Sequence, residues 1–290
     1  MGFSLKKSFI YIFLTAAILT GGWFLSAKIA YGGNDLKSTL REVAEKIEEI
    51  SAIKNNESLD KEEREKRELR ARTEALAKIF ELTLLEDNDL KNRLLVLKNL
   101  TDEQIKIKDA LLKLLGENKN AYDELRPRLE SAVILNQIKQ LAADFKNWRR
   151  SVYNPKVEKI LSFSLVFQQK NTLNIAENRL KKIQSDLQRL EDASVIKKED
   201  TTSLLRKAIQ ELNQAKNLNR QAEELVTKIL AEEFFPITPN LDLTNIDNPD
   251  ELKLSNSPSV KSLIEESLKH IKTAYRLFLD IGKIVREKLS

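Results

Sequence analysis

An all-α fold is predicted by three features of the sequence. Apolar residues recur at steps of three and four from Leu36 to Ile281, and no segment keeps the two-residue alternation of a half-buried strand. Aromatic residues make up only 6% of the chain against 32% charged ones, a composition rich in helix formers and poor in sheet-core side chains. The expected arrangement is an amino-terminal transmembrane or signal helix, then an extended helical ectodomain closing in a carboxyl-terminal antiparallel three-helix bundle that contains a coiled-coil hairpin. The 290 residues divide accordingly into 1–33, 34–154 and 155–290.

The first element is the uncharged run Ser8–Ala27, SFIYIFLTAAILTGGWFLSA. A helix of that length spans roughly 30 Å, the thickness of a bilayer's hydrocarbon core. Lys6 and Lys7 flank it on one side and Trp23 and Tyr31 lie near the other, so the positive end is expected to stay in the cytoplasm. A cleaved signal peptide has a shorter apolar core and a neutral small-x-small site, whereas Lys28 intrudes here. An uncleaved anchor with residues 34–290 outside the cytoplasm is therefore expected. The alternative is a secreted or periplasmic protein cleaved near Gly32.

Leu36, Leu40, Val43, Ile47 and Ile50 form the seam of the next helix, interrupted at Asn55-Asn56. Residues 60–72 are charged almost throughout, with acids and bases three or four apart, the spacing of a solvated helix face. Leu76, Ile79, Phe80 and Thr83 continue as a buried stripe. Thr101-Asp102-Glu103-Gln104 reads as a capping box, and Gly116 as a carboxyl cap. A helix over about 121–152 runs through Leu129, Val133, Ile138, Leu141, Phe145 and Trp148, with Pro127 either opening it or kinking its first turns. Asn154-Pro155, a favoured cap and first helical residue, marks the domain boundary.

The carboxyl-terminal half is the most regular. Leu173, Ala176, Leu180, Ile183, Leu187 and Leu190 alternate steps of three and four. So do Leu205, Ala208, Leu212, Ala215, Asn219, Ala222, Val226 and Ile229. Joined by a polar turn at 193–203, they predict an antiparallel hairpin, with Asn219 at a seam position as a register-setting or simply cross-bonded polar residue. Pro236, Pro239, Pro249 and Pro258 break the helix over the loop 234–258. A last helix is expected from Ser257-Pro258. Its wide apolar face, from Val260 through Ile271 and Phe278 to Ile281, suits the groove of the hairpin.

Composition excludes several functions. Outside the first 33 residues the only glycines are Gly116 and Gly282, so there is no glycine-rich phosphate loop. There is no Cys and one His, His270, which lacks a recognisable nucleophile or orienting acid and reads as a flank residue of the last helix. Lys6, Lys7 and Lys28 precede the first acid, Asp35, and carry most of the net charge of +5; the remainder is interspersed, unlike a nucleic-acid-binding stripe. Asn240, Asp242, Thr244, Asn248 and Glu251 partly imitate a calcium loop, but Asn245 occupies the position that needs glycine. That stretch reads as a solvated loop.

One cluster combines aromatic and cationic side chains: Trp148, Arg149, Arg150 and Tyr153. It is the candidate ligand or partner contact, because arginine presents a planar fork to carboxylate or phosphate. The competing reading places Trp148 in the core and pairs the arginines with nearby acids. No catalytic, cofactor-binding or metal-ligating residue is assigned, and no cofactor is expected. The sequence thus points to a non-enzymatic, membrane-anchored helical ectodomain at the cell envelope, acting as a structural or protein-interaction scaffold. Its partners are the membrane, through residues 8–27, and a protein of unspecified identity, with no nucleic acid. The alternative is a ligand-binding or sensor domain with a pocket near 145–155 or under the 234–258 loop.

Overall fold

The computed structural model describes residues 34–236 and 259–289. The anchor segment Ser8–Ala27, the residues around Gly32, the calcium-like spacing at 240–251 and Ser257-Pro258 lie outside the described residues. Among the described residues every regular element is helical, and no helix is long and apolar enough to cross a membrane. The elements are α1 (Asn34–Asn55), α2 (Lys61–Leu95), α3 (Asp102–Gly116), α4 (Asn118–Glu130), α5 (Leu135–Trp148), a π turn (Arg149–Tyr153), α6 (Asn154–Asp192), α7 (Lys198–Phe234) and α8 (Val260–Leu289). They group into two compact units. The first holds residues 34–96 and 111–158, the second 97–110 and 159–289. The sequence boundary at 154 thus lies close to one crossing between units, but the assignment of 97–110 to the second unit has no counterpart in it.

In the first unit α1 ends at Asn55, as the paired asparagines require, and Asp60 starts α2 by accepting from the Glu63 backbone N–H at 2.8 Å. Ion pairs Glu42–Lys78, Lys46–Glu74 and Lys54–Glu68 set α1 antiparallel to α2. The charged amino-terminal half of α2 is laced by i,i+4 pairs such as Arg67–Glu63 and Arg72–Glu68. Its apolar stripe, Leu76 and Phe80, packs with Tyr122, Leu125 and Leu129 of α4 and with Ile138, Leu141 and Phe145 of α5. In the second unit, Thr101 and Gln104 form the expected reciprocal capping box, at 3.0 and 3.3 Å.

Three local expectations need correction. The helix expected over 121–152 breaks at 131–134, leaving Val133 72% exposed rather than on the seam. Pro127 falls in the last turn of α4, and the Gln137 side chain restarts the chain as α5 by accepting from the Val133 and Ile134 N–H groups. Gly116 ends α3 without adopting a left-handed conformation, because α4 resumes two residues later. Asn154-Pro155 does not cap a new helix. The chain stays helical through the π turn, where the Asn154 N–H reaches back five residues to the Arg149 carbonyl. Pro155 has no N–H to give and its ring crowds the preceding turn, so a widened turn ahead of it relieves the clash that an α-turn would impose.

The second unit is built on α6, α7 and α8. Ala176, Ala208, Leu212, Ala274 and Phe278 share one cluster, Leu173, Ala215 and Ile271 a second, and Leu187, Ile196 and Ile281 a third. The fully buried alanines on all three helices let the backbones approach closely. Ile229, expected on the seam, is 47% exposed, and Leu230 takes its place at 1%. A straight helix drifts about 20° per heptad against a 3.5-residue repeat, and one extra four-residue step restores the face. The final helix runs from Val260, and the Ser259 hydroxyl caps it by accepting from Ser262 N–H at 3.1 Å.

The hairpin turn is shorter than the polar stretch implied, only 193–197. It closes as a Schellman motif: Val195 N–H bonds Leu190 O and Ser194 N–H bonds Glu191 O, both at 2.9 Å. Ser194 carries φ 60°, where glycine is the usual residue. The left-handed conformation costs an L-residue about 1–2 kcal/mol, and glycine's extra chain entropy about 0.5–1. Ser194→Gly should therefore stabilise the chain by about 0.5–1 kcal/mol, read as a higher urea midpoint with unchanged slope.

Polar groups tie the three helices together. Asn219 Nδ2 on α7 donates to Val166 O at 3.1 Å and to Gln169 Oε1 at 3.3 Å on α6. Gln169 Nε2 donates in turn to Ile264 O on α8 at 3.0 Å. The Ser267 hydroxyl, fully buried on α8, donates to Ala215 O on α7 at 2.8 Å. A one-step slip of any helix would strand these groups without partners. Asn219→Ala leaves Gln169 Oε1 and Val166 O short of a donor, and should cost about 1–3 kcal/mol in chemical denaturation.

Candidate functional site

In the first unit the candidate residues converge on a buried ion cluster. Glu86 falls on the core stripe of α2 and is 2% exposed, and Asp87 follows it, half-buried. The π turn brings Arg149, 3% exposed, against them. Its Nη1 donates to Thr83 Oγ1 at 2.7 Å and its Nη2 to Glu86 Oε2 at 2.8 Å. Tyr153 donates its hydroxyl to the same Glu86 oxygen at 3.3 Å, and its ring lies 4.6 Å below the guanidinium carbon of Arg149. Asp87 accepts from Asn118 Nδ2 at 3.1 Å and from the Tyr122 hydroxyl at 3.0 Å, both on α4.

Of the four expected contact residues, three come together. Trp148 is half-buried, its ring 5.3 Å from Tyr153, 5.5 Å from Phe145 and 5.6 Å from Tyr122. Arg149 and Tyr153 are buried beside it, and Arg150 alone is exposed. The Arg149 fork thus engages a carboxylate of its own chain. Sequence reasoning missed Thr83, Glu86, Asp87, Asn118 and Tyr122. The available signal was the spacing Leu76, Phe80, Thr83, Glu86, Leu90, Leu94, which places a carboxylate on an otherwise core-facing stripe.

Electrostatics follow from burial. Desolvation pushes the Glu86 carboxyl upward, against the opposing pull of Arg149. Burial also raises Asp87, although its phenol and amide donors oppose the shift. Tyr122 and Tyr153 are both raised by burial and by the adjacent carboxylates, so their hydroxyls remain donors. These groups can hold or release a proton. Among the described residues no group of three or more His, Cys, Asp and Glu is placed to hold a metal ion.

The second unit carries an open groove of about 1470 Å³. One wall is α6 (Lys170, Leu173, Glu177), the other α7 from Lys216 to Glu232. Residues 101–106 close one side, and Phe235 and Pro236 line the end at which the proline-rich loop begins. Glu223 is held between Gln104 Nε2 at 3.0 Å and Lys170 Nζ at 2.9 Å. Acids and bases alternate along the walls, so the groove has no dominant sign. His270 lies apart from this groove's lining, with Nδ1 2.7 Å from Glu211 Oε2 across the α7–α8 interface. No family model, curated protein or solved structure matches the chain.

Proposed function

We propose that the chain is a non-enzymatic helical scaffold of the cell envelope, anchored by Ser8–Ala27 and presenting residues 34–290 outside the cytoplasm to a protein partner. The observation that carries the scaffold reading is the chain of buried polar ties Asn219–Gln169–Ile264 and Ser267–Ala215. Such ties fix one register among long helices, the property a presenting scaffold needs. The anchor rests on the length and neutrality of the Ser8–Ala27 run and on its lysine flank.

A second reading, an extracytoplasmic ligand-binding domain, is favoured by the groove that ends at Phe235 and Pro236. Native mass spectrometry of the purified full chain separates the two. The scaffold reading expects the mass of the polypeptide or its multiples, equal to the denatured mass per chain. A stoichiometric small molecule lost on denaturation would replace it with the ligand-binding reading.

A further inference from the structure

We propose that Glu86 and Asp87 form one proton-binding site, whose occupancy is coupled to the packing of the π turn around Trp148. The cluster holds two adjacent carboxylates and one guanidinium, so full ionisation leaves a net negative charge in an environment where the Glu86 side chain is 3% exposed. Burying a net charge is costly, and a proton removes it. Asn118 is 1% exposed and its Oδ1 accepts no hydrogen bond, while its Nδ2 already serves Asp87.

Every element packed on this site contributes a definite group. On α2 they are Thr83, Glu86 and Asp87; on α4, Asn118 and Tyr122; on the π turn, Arg149 and Tyr153. The charged contacts of α1 with α2 fall on turns nearer the amino end, at Glu68, Glu74 and Lys78. Asp89 is paired with Arg93 on α2 itself, and Lys156 on α6 is engaged with Glu117 and the Leu114 carbonyl. Arg149 is thus the cation bonded to Glu86. Burial raises both carboxyls, which places the proton exchange above the range of a solvated acid. The two carboxyls are adjacent and titrate as a pair.

Ionisation reaches the π turn through the two phenols. Tyr153 donates to Glu86 and Tyr122 to Asp87, and both rings pack on Trp148. Losing the proton strengthens the pull on both hydroxyls and on Arg149; gaining it slackens that pull. Trp148 is one of two tryptophans in the chain, the other being Trp23, so Trp23→Phe leaves a single reporter.

The test is tryptophan emission of the full chain carrying Trp23→Phe, titrated from about pH 4 to about pH 9, with far-ultraviolet circular dichroism at each point. The expected result is an emission change with constant helicity and a midpoint above that of a solvated carboxyl, absent when Glu86→Gln and Asp87→Asn are combined. A flat trace, or a transition that survives the double substitution, overturns the proposal. Should the double variant not fold, carboxyl carbon resonances of the unsubstituted side chains decide. Glu86 and Asp87 must then titrate above the other carboxylates, and ordinary titration of both overturns the proposal equally.

Discussion

Replacing Arg149 with methionine should destabilise the first unit by about 3–5 kcal/mol near neutral pH, and by distinctly less in mild acid. Methionine keeps the apolar stem and most of the volume, so packing loss is small beside the loss of the guanidinium. What remains is the Glu86 carboxylate, buried without its cation. Glu86 is already raised by desolvation in the presence of Arg149, and removing the guanidinium raises it further. A carboxyl whose folded pKa lies above its unfolded value contributes most below the unfolded pKa, and that contribution is lost as pH rises through the folded pKa. The penalty therefore grows with pH over that window. Urea denaturation at two pH values measures it; an equal penalty at both would show that the pair is not the origin.

Phe278→Ala should cost about 3–5 kcal/mol, at the upper end of that range. Phe278 is 9% exposed on α8 and packs with Ala176, Ala208, Leu212 and Ala274. Three of these four buried neighbours are alanines, too short to move into the space the ring leaves, and the longer Leu180, Ile183, Tyr275 and Leu277 pack on the cluster from its partly buried side. The cavity persists, and its cost adds to the lost transfer energy. A fall below about 1 kcal/mol in chemical denaturation would mean that α8 is not part of the core of the second unit.

Local chemistry made much of the fold legible. The Asn55-Asn56 stop and the capping box of Thr101 and Gln104 depend on neighbours within four residues, and both appear as read. The hairpin seams from Leu173 and Leu205 were legible because a period sustained over several turns averages out individual exceptions. Ile229 was lost at the seam's end, where that period slips by one residue.

The helix break at 131–134 was hidden because Val133 and Ile134 fit the apolar period. Their N–H groups nevertheless bond the Gln137 side chain rather than the helix backbone. The π turn left no composition signal except Pro155, which also suits a helix start. The site was half legible. Trp148, Arg149 and Tyr153 stood out by type and spacing, but the partner of Arg149 lies 63 residues away. Among 44 acidic residues, nothing in one sequence says which carboxylate a given arginine meets.

Alkaline carbonate extraction of membranes holding the full chain tests the central claim, a helical scaffold tethered by its own amino-terminal segment. The proposal predicts that the chain stays with the membrane pellet and keeps Ser8–Ala27. Release into the supernatant, with a new amino terminus near Gly33, would contradict it.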